Sequence, residues 1–163
     1  MKNKYLKIIF LDIDGVLNLI SQGYDKYGSI FHSHFVDNLN KIVEETGASI
    51  VISSSWRSDG LQKFIDMWKH RNYKGDVIDV TRYYDGDHEH KRGLEIHDWI
   101  MNNDLGIKVS NYVILDDDTD FLPEQLDYFV QTSDNIDHED CIDIGYGLTD
   151  ICRDKAIEIL NSL

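Results

Sequence analysis

Leu6-Lys7-Ile8-Ile9-Phe10-Leu11-Asp12-Ile13-Asp14-Gly15-Val16-Leu17 joins a run that reads as a buried strand to two carboxylates one residue apart. Alternate residues of a strand share a face, so Asp12 and Asp14 lie about 7 Å apart if the extended geometry persists, and closer if the chain turns at Gly15. Like charges held that near each other call for a compensating partner. A divalent cation is one, because a hard metal takes oxygen ligands and inverts the local electrostatics. Chemistry is another, since an aspartate can act as a covalent nucleophile while a second carboxyl shuttles the proton. Taken alone, a D-G step after a strand is also an ordinary turn.

The arrangement recurs twice. Ala48-Ser49-Ile50-Val51-Ile52 runs into Ser53-Ser54-Ser55-Trp56-Arg57, and Tyr112-Val113-Ile114-Leu115 runs into Asp116-Asp117-Asp118-Thr119-Asp120. Short apolar runs rich in β-branched residues are what strands covered on both faces of a parallel sheet look like. In open α/β sheets ligands bind outside the carboxyl ends of the strands, which brings these three distant polar clusters to one rim.

The intervening segments read as crossover helices. Phe35, Val36, Leu39, Ile42 and Val43 follow helical spacing, with Gly47 as a stop; Leu61, Phe64, Ile65 and Trp68 form a second stripe, with Ser58 or Asp59 as N-cap. A third stripe, Ile96, Trp99 and Ile100, starts near Gly93, and a last helix after Thr149 carries Ala156, Ile159 and Leu160. Val77 to Val80 and Tyr128 to Gln131 are additional strands. Alternating strands and helices predict an α/β fold, a three-layer Rossmann-like parallel sheet with helices on both faces.

A chain of 163 residues, 42% hydrophobic, suffices for one core, and residues 1–163 read as a single domain with no linker. Met1-Lys2-Asn3-Lys4 leads straight into the first strand, and no run approaches membrane-spanning length. A cytoplasmic protein without membrane association or an obligate protein partner is therefore expected. Cys141 and Cys152 are too few for a disulfide framework and lack metal-ligand spacing. The net charge of −14 argues against a large duplex-binding surface but not against binding one end or one phosphate. Part of it is local, in the run Asp116 to Asp120 and in an acidic segment, Asp134 to Asp143, that reads as a solvated loop.

The ordered set, D-x-D-G-V, a strand ending in serine, a basic residue at a helix start and a strand ending in paired aspartates, resembles the haloacid dehalogenase (HAD) superfamily of phosphohydrolases. The segments Val51 to Arg57, Arg92-Gly93-Leu94-Glu95-Ile96 with Trp99, Tyr112 to Asp118 and Gly147-Leu148-Thr149 are similar to the phosphatase domain of Swiss-army-knife RNA repair proteins. The resemblance implies that Asp12 is the nucleophile that becomes an aspartyl phosphate, and that Asp14 is the general acid and then general base. It further implies that Asp12 and Asp116, with the backbone carbonyl of Asp14, hold Mg²⁺, with Asp117 or Asp120 completing or orienting that shell. Ser53 matches the phosphate-binding position, with Ser54 or Ser55 taking that part if the strand runs longer. Arg57 has the planar fork suited to phosphate, or else forms a surface salt bridge. The cation beside the nucleophile is Lys91 or Arg92: the R-G-x-E-I pattern favours Arg92, while the superfamily pattern accepts lysine.

His88-Glu89-His90 and His32-Ser33-His34 suggest zinc, but without a cysteine partner they read better as loop residues. The gaps between motifs are too short for a large cap, leaving residues 18–34 as a flap and 71–90 as a loop. An open site suits a phosphate carried on something large. Tyr24, Tyr27, Tyr83 and Tyr84 are either stacking platforms for bases or loop-packing residues. The expected activity is a Mg²⁺-dependent phosphomonoesterase on a phosphorylated substrate, with a nucleic-acid end favoured. The alternatives are a phosphatase of a small metabolite or nucleotide, and a non-enzymatic receiver-like phosphoacceptor, which would normally place its acidic pair first.

Overall fold

A computed structural model of the chain describes residues 4–19, 21–133 and 146–162. The acidic segment Asp134 to Asp143, with Cys141, lies outside them. In chain order the elements are β1 (Lys4–Leu11), a hairpin of β2 (Tyr24–Asp25) and β3 (Gly28–Ser29), α1 (Ser33–Thr46), β4 (Ser49–Ile52), a 3-10 helix (Ser55–Asp59), α2 (Leu61–His70), β5 (Val77–Val80), α3 (Lys91–Asn102), β6 (Ile107–Asp116), a second 3-10 helix (Pro123–Tyr128), β7 (Phe129–Gln131) and α4 (Asp150–Asn161).

Five strands form one parallel sheet in the order β5-β4-β1-β6-β7. The chain builds outward from β1 through β4 to β5, then crosses back through α3 to β6 on the other side of β1. That reversal makes the crevice between the carboxyl ends of β1 and β6 the ligand-binding position of a doubly wound sheet.

The pleat sorts the core into two layers. Ile9 and Leu11 of β1 face a cluster that includes Leu39 and Ile42 of α1, Phe64 and Trp68 of α2, and Ala156 and Leu160 of α4. Ile8 and Phe10 face Ile96 and Trp99 of α3 on the opposite side. Phe10 sits edge-on to Trp99 and Tyr112, with centroids 5.6 and 5.8 Å away. Truncating such a ring to alanine costs about 3–5 kcal/mol. Among the described residues no helix is long and apolar enough to cross a membrane.

The structure departs from the expected boundaries at three places. The residues expected to cap α2, Ser58 and Asp59, belong instead to the 3-10 helix, and α2 starts after Gly60, whose φ of +87° turns the chain between the two. α3 begins at Lys91, which places Arg92 in its first turn. β6 starts at Ile107 and pairs with Lys4 to Leu6 of β1, ahead of the apolar run. The flap is the two-stranded hairpin, tied to the end of α2 by Arg71, which donates to both carboxylate oxygens of Asp25 (2.9 and 2.8 Å) and to Gly28 O (3.2 Å).

Candidate active site

β1, β4 and β6 are neighbours, so their carboxyl ends deliver Asp12, Ser53 and Asp116 to one rim. Asp12 N donates to Leu115 O, and Ser53 N to Leu11 O, continuing the strand ladders one residue beyond the sheet. Carboxylate oxygens of Asp12, Asp116 and Asp117 lie within 4.8 Å of one another, with Asp12 and Asp116 buried. No donor reaches Asp116 Oδ2 among the described residues, and Oδ1 accepts only from Asp118 N at 2.9 Å. A buried, unpartnered carboxylate oxygen inside an all-oxygen cluster is what a hard divalent cation would satisfy, so the residues fit a metal.

Electrostatics report the same crowding. Burial pushes the Asp12 carboxyl above the ordinary carboxylate range, and the Arg92 guanidinium pulls it back down. Asp116 is raised by burial and then by the charge of Asp12, again opposed by Arg92. Of the two candidate cations it is therefore Arg92 whose charge bears on the carboxylates. Arg92 also hydrogen-bonds Ser53 O through Nη1. The Lys91 side chain makes no ion pair or hydrogen bond among the described residues.

Two glycines let this cluster form. Gly15 has φ +82°, and a Cβ there would lie 2.8 Å from Asp117 Cβ and nearer still to its carboxyl. At Gly93 a Cβ would meet Leu122 N at 2.7 Å and Phe121 Cα at 2.9 Å, so its absence lets the first turn of α3 seat against the loop after β6. Asp120 completes that contact: its Oδ2 accepts from Arg92 N (3.1 Å) and its carbonyl from Gly93 N (3.0 Å). Asp120 thus anchors the helix carrying Arg92 and stands outside the metal-type cluster.

Asp14 diverges from Asp12. The chain turns after Ile13, whose carbonyl accepts from Val16, Leu17 and Asn18 N–H groups, and Asp14 emerges exposed. Its carboxylate is held on both sides, by Asn18 Nδ2 at 2.8 Å and by Trp56 Nε1 at 3.0 Å. Trp56 and Asn18 were not among the expected site residues, and nothing in their spacing marks them.

The serines separate cleanly. Ser53 Oγ is buried with no partner among the described residues. Ser54 Oγ caps the 3-10 helix by accepting from Trp56 N at 3.2 Å, and Ser55 is exposed. Arg57 turns inward instead of toward the rim or the surface: it is 5% exposed, pairs with the equally buried Glu95, donates to Ser54 O at 3.0 Å and lies 3.9 Å from the Tyr83 ring centroid. Burial lowers its affinity for the proton, and the Glu95 charge offsets only part of that.

The histidines have structural work. His32 Nδ1 caps α1 by accepting from His34 N, His34 bonds Asp150 of α4 at 2.9 Å, and His88 Nδ1 accepts from His90 N. Among the described residues no histidine joins a group able to hold a metal. Gly147-Leu148-Thr149 closes the other flank, where Leu148 N bonds Val16 O and Thr149 caps α4 through Cys152 N.

A buried aspartate pair at the switch point of a parallel sheet, faced by an arginine from a crossover helix, defines a HAD-type hydrolase domain. The family model described as the HAD domain in Swiss Army Knife RNA repair proteins matches residues 8–137, and the chain belongs to that family. Membership places it among hydrolases of the phosphatase kind. No curated protein and no solved structure matches the chain.

Proposed function

We propose that this protein is a Mg²⁺-dependent phosphomonoesterase that works through an aspartyl phosphate on Asp12, with polynucleotide end phosphates as its preferred substrates. The observation that carries the reading is the buried Asp12, Asp116 and Asp117 cluster opposed by Arg92. Asp12, Asp116 and Asp117 would hold Mg²⁺ with the Asp14 carbonyl, and the ion when bound supplies positive charge against the phosphoryl oxygens.

An Asp12 carboxylate oxygen attacks phosphorus as the bond to the ester oxygen breaks, and Asp14 gives that oxygen its proton. Asp14, now ionised, takes a proton from the water that attacks the same phosphorus, releasing phosphate and restoring Asp12. Arg92 offsets charge on the transferring oxygens, and the unpartnered Ser53 hydroxyl donates to one of them. Lys91, free of other pairing among the described residues, is available to a further substrate phosphate. The small hairpin leaves the rim open, which favours a phosphate carried on a large molecule.

The test is phosphate release from mononucleotides, sugar phosphates and oligonucleotides phosphorylated at either end, with and without Mg²⁺. The expected result is Mg²⁺-dependent release, greatest on oligonucleotide ends and abolished in a folded Asp12→Asn variant. Release from mononucleotides alone would move the substrate to small molecules, and full turnover in Asp12→Asn would remove the nucleophile assignment.

A further inference from the structure

We propose that the cleft between the hairpin flap and the first 3-10 helix is the leaving-group subsite, built for an uncharged planar ring the size of a nucleobase. The proposal rests on the phosphomonoesterase reading above. The cleft has a volume of about 310 Å³ and is lined by Tyr27, Gly28, Ser55, Trp56, Asp59 and Lys63. That volume lies at the small end of ligand sites, enough for one ring system and little more.

Position is the first argument. One wall of the cleft bonds Asp14 directly and the other reaches it through two hydrogen bonds, Asp14 being the residue that protonates the departing oxygen in the proposed reaction. From the helix side, Trp56 Nε1 donates to Asp14 Oδ2 at 3.0 Å. From the flap side, Ser29 Oγ donates to Asn18 Oδ1 at 2.9 Å, and Asn18 Nδ2 donates to Asp14 Oδ1 at 2.8 Å. The cleft is thus tied to Asp14, which places it beside the group that protonates the departing oxygen.

The lining then specifies the occupant. Its aromatic side chains are half-buried and backed by other rings, Trp56 against Phe31 (5.6 Å) and Tyr27 against His70 (5.5 Å), so stacking upon them orders little that is not already ordered. The Lys26 ammonium stands outside the lining, 5.2 Å from the Tyr27 ring centroid, and among the lining residues the cation is Lys63, which is paired with Asp59 at 2.8 Å. With that charge neutralised, the lining suits a neutral ring better than a second phosphate. Gly28 has no atom within 4 Å of where a Cβ would stand, so the flap leaves space beside Tyr27.

Trp56 is on this view a positioning residue as well as a wall, because one ring both meets the base and directs the Asp14 carboxyl. Calorimetric titration of the native chain with adenosine, and with ribose as a control lacking the base, reads the subsite without turnover. Adenosine is expected to bind and ribose not, with Tyr27→Ala weakening adenosine about tenfold, in the range of one lost base stack. In turnover, Tyr27→Ala lowers the preference for adenosine monophosphate over ribose phosphate by about the same factor. Trp56→Phe, which keeps a ring but lacks the N–H, lowers kcat about tenfold on alkyl phosphates and less on p-nitrophenyl phosphate, whose leaving group needs little protonation. Circular dichroism of both variants checks folding.

Absent adenosine binding, or with both preferences unmoved in folded variants, the subsite is overturned while phosphatase activity stands. If the native chain hydrolyses no phosphomonoester, the functional reading falls, and adenosine binding then decides whether the cleft accepts a base.

Discussion

Replacing Gly15 by alanine separates backbone strain from displacement of a site carboxylate. Gly15 adopts φ +82°, and an added Cβ would be 2.8 Å from Asp117 Cβ. Alanine in a left-handed conformation costs about 1–2 kcal/mol, and forcing a packed neighbour aside adds about 1–3 kcal/mol. Gly106 provides the control, because it has φ +66° with no atom within 4 Å of its would-be Cβ and so bears the strain alone. Urea unfolding should show Gly106→Ala destabilised by about 1–2 kcal/mol and Gly15→Ala by about 2–5 kcal/mol. Calorimetric titration with Mg²⁺ should show affinity lost only in Gly15→Ala, since only there is Asp117 driven from Asp12 and Asp116. Equal destabilisation of the two variants, with unchanged Mg²⁺ binding, would refute the claim that the side-chain-free turn fixes Asp117.

Ser53→Ala should leave stability unchanged or raise it by about 1 kcal/mol, since it removes a buried hydroxyl lacking a partner, while phosphate release falls; a stability loss would mean the hydroxyl is already bonded. Arg57→Met leaves Glu95 buried and unpaired and should cost about 3–5 kcal/mol in urea unfolding, whereas Arg57→Met combined with Glu95→Leu should recover most of it. The Asp25 carboxyl is held down at about 2 by the Arg71 guanidinium, so its contribution to stability is full above the ordinary carboxylate range. It disappears as pH falls from about 4 toward 2. Thermal unfolding across that window should be less pH-dependent in Asp25→Asn, and identical profiles would dismiss the contribution.

The sheet was legible because its strands are unusually uniform: Ile8 to Leu11, Ile50 to Ile52 and Val113 to Leu115 are covered on both sides and leave no polar residue to blur them. Where cover thins, so does the signal. The first half of β6 alternates Ile107 and Val109 with exposed Lys108 and Ser110, a period-two pattern that marks a strand but not a continuous apolar run. Asp12, Ser53 and Asp116 could be placed because a strand end fixes where its last residue points. The inward turn of Arg57 could not, because it depends on Glu95, which lies 38 residues further along on another helix. Trp56 is hidden for the same reason, its partner Asp14 lying 42 residues earlier, while the role of Asn18 depends on how the chain turns after Ile13. Asp117 and Asp120 are alternatives within one acidic run, and it is the close approach of Asp117 to Gly15 and the seating of α3 on Asp120 that give them different tasks.

The clamp of Arg71 on Asp25 has a consequence for how this scaffold changes over time. Among the described residues the hairpin reaches the reacting groups through Ser29 and Asn18, and its far side is held by Arg71 and by Tyr27 against His70, whereas the carboxylate ring is rooted in the sheet. Insertions or exchanges at the hairpin tip between Asp25 and Gly28 can therefore redraw which molecules dock while the bond-breaking apparatus stays where it is. On the proposed function, selection has a handle on recognition that meets the reacting groups through the hydrogen bonds from Ser29 to Asn18 and from Asn18 to Asp14, and leaves the carboxylates of the sheet untouched.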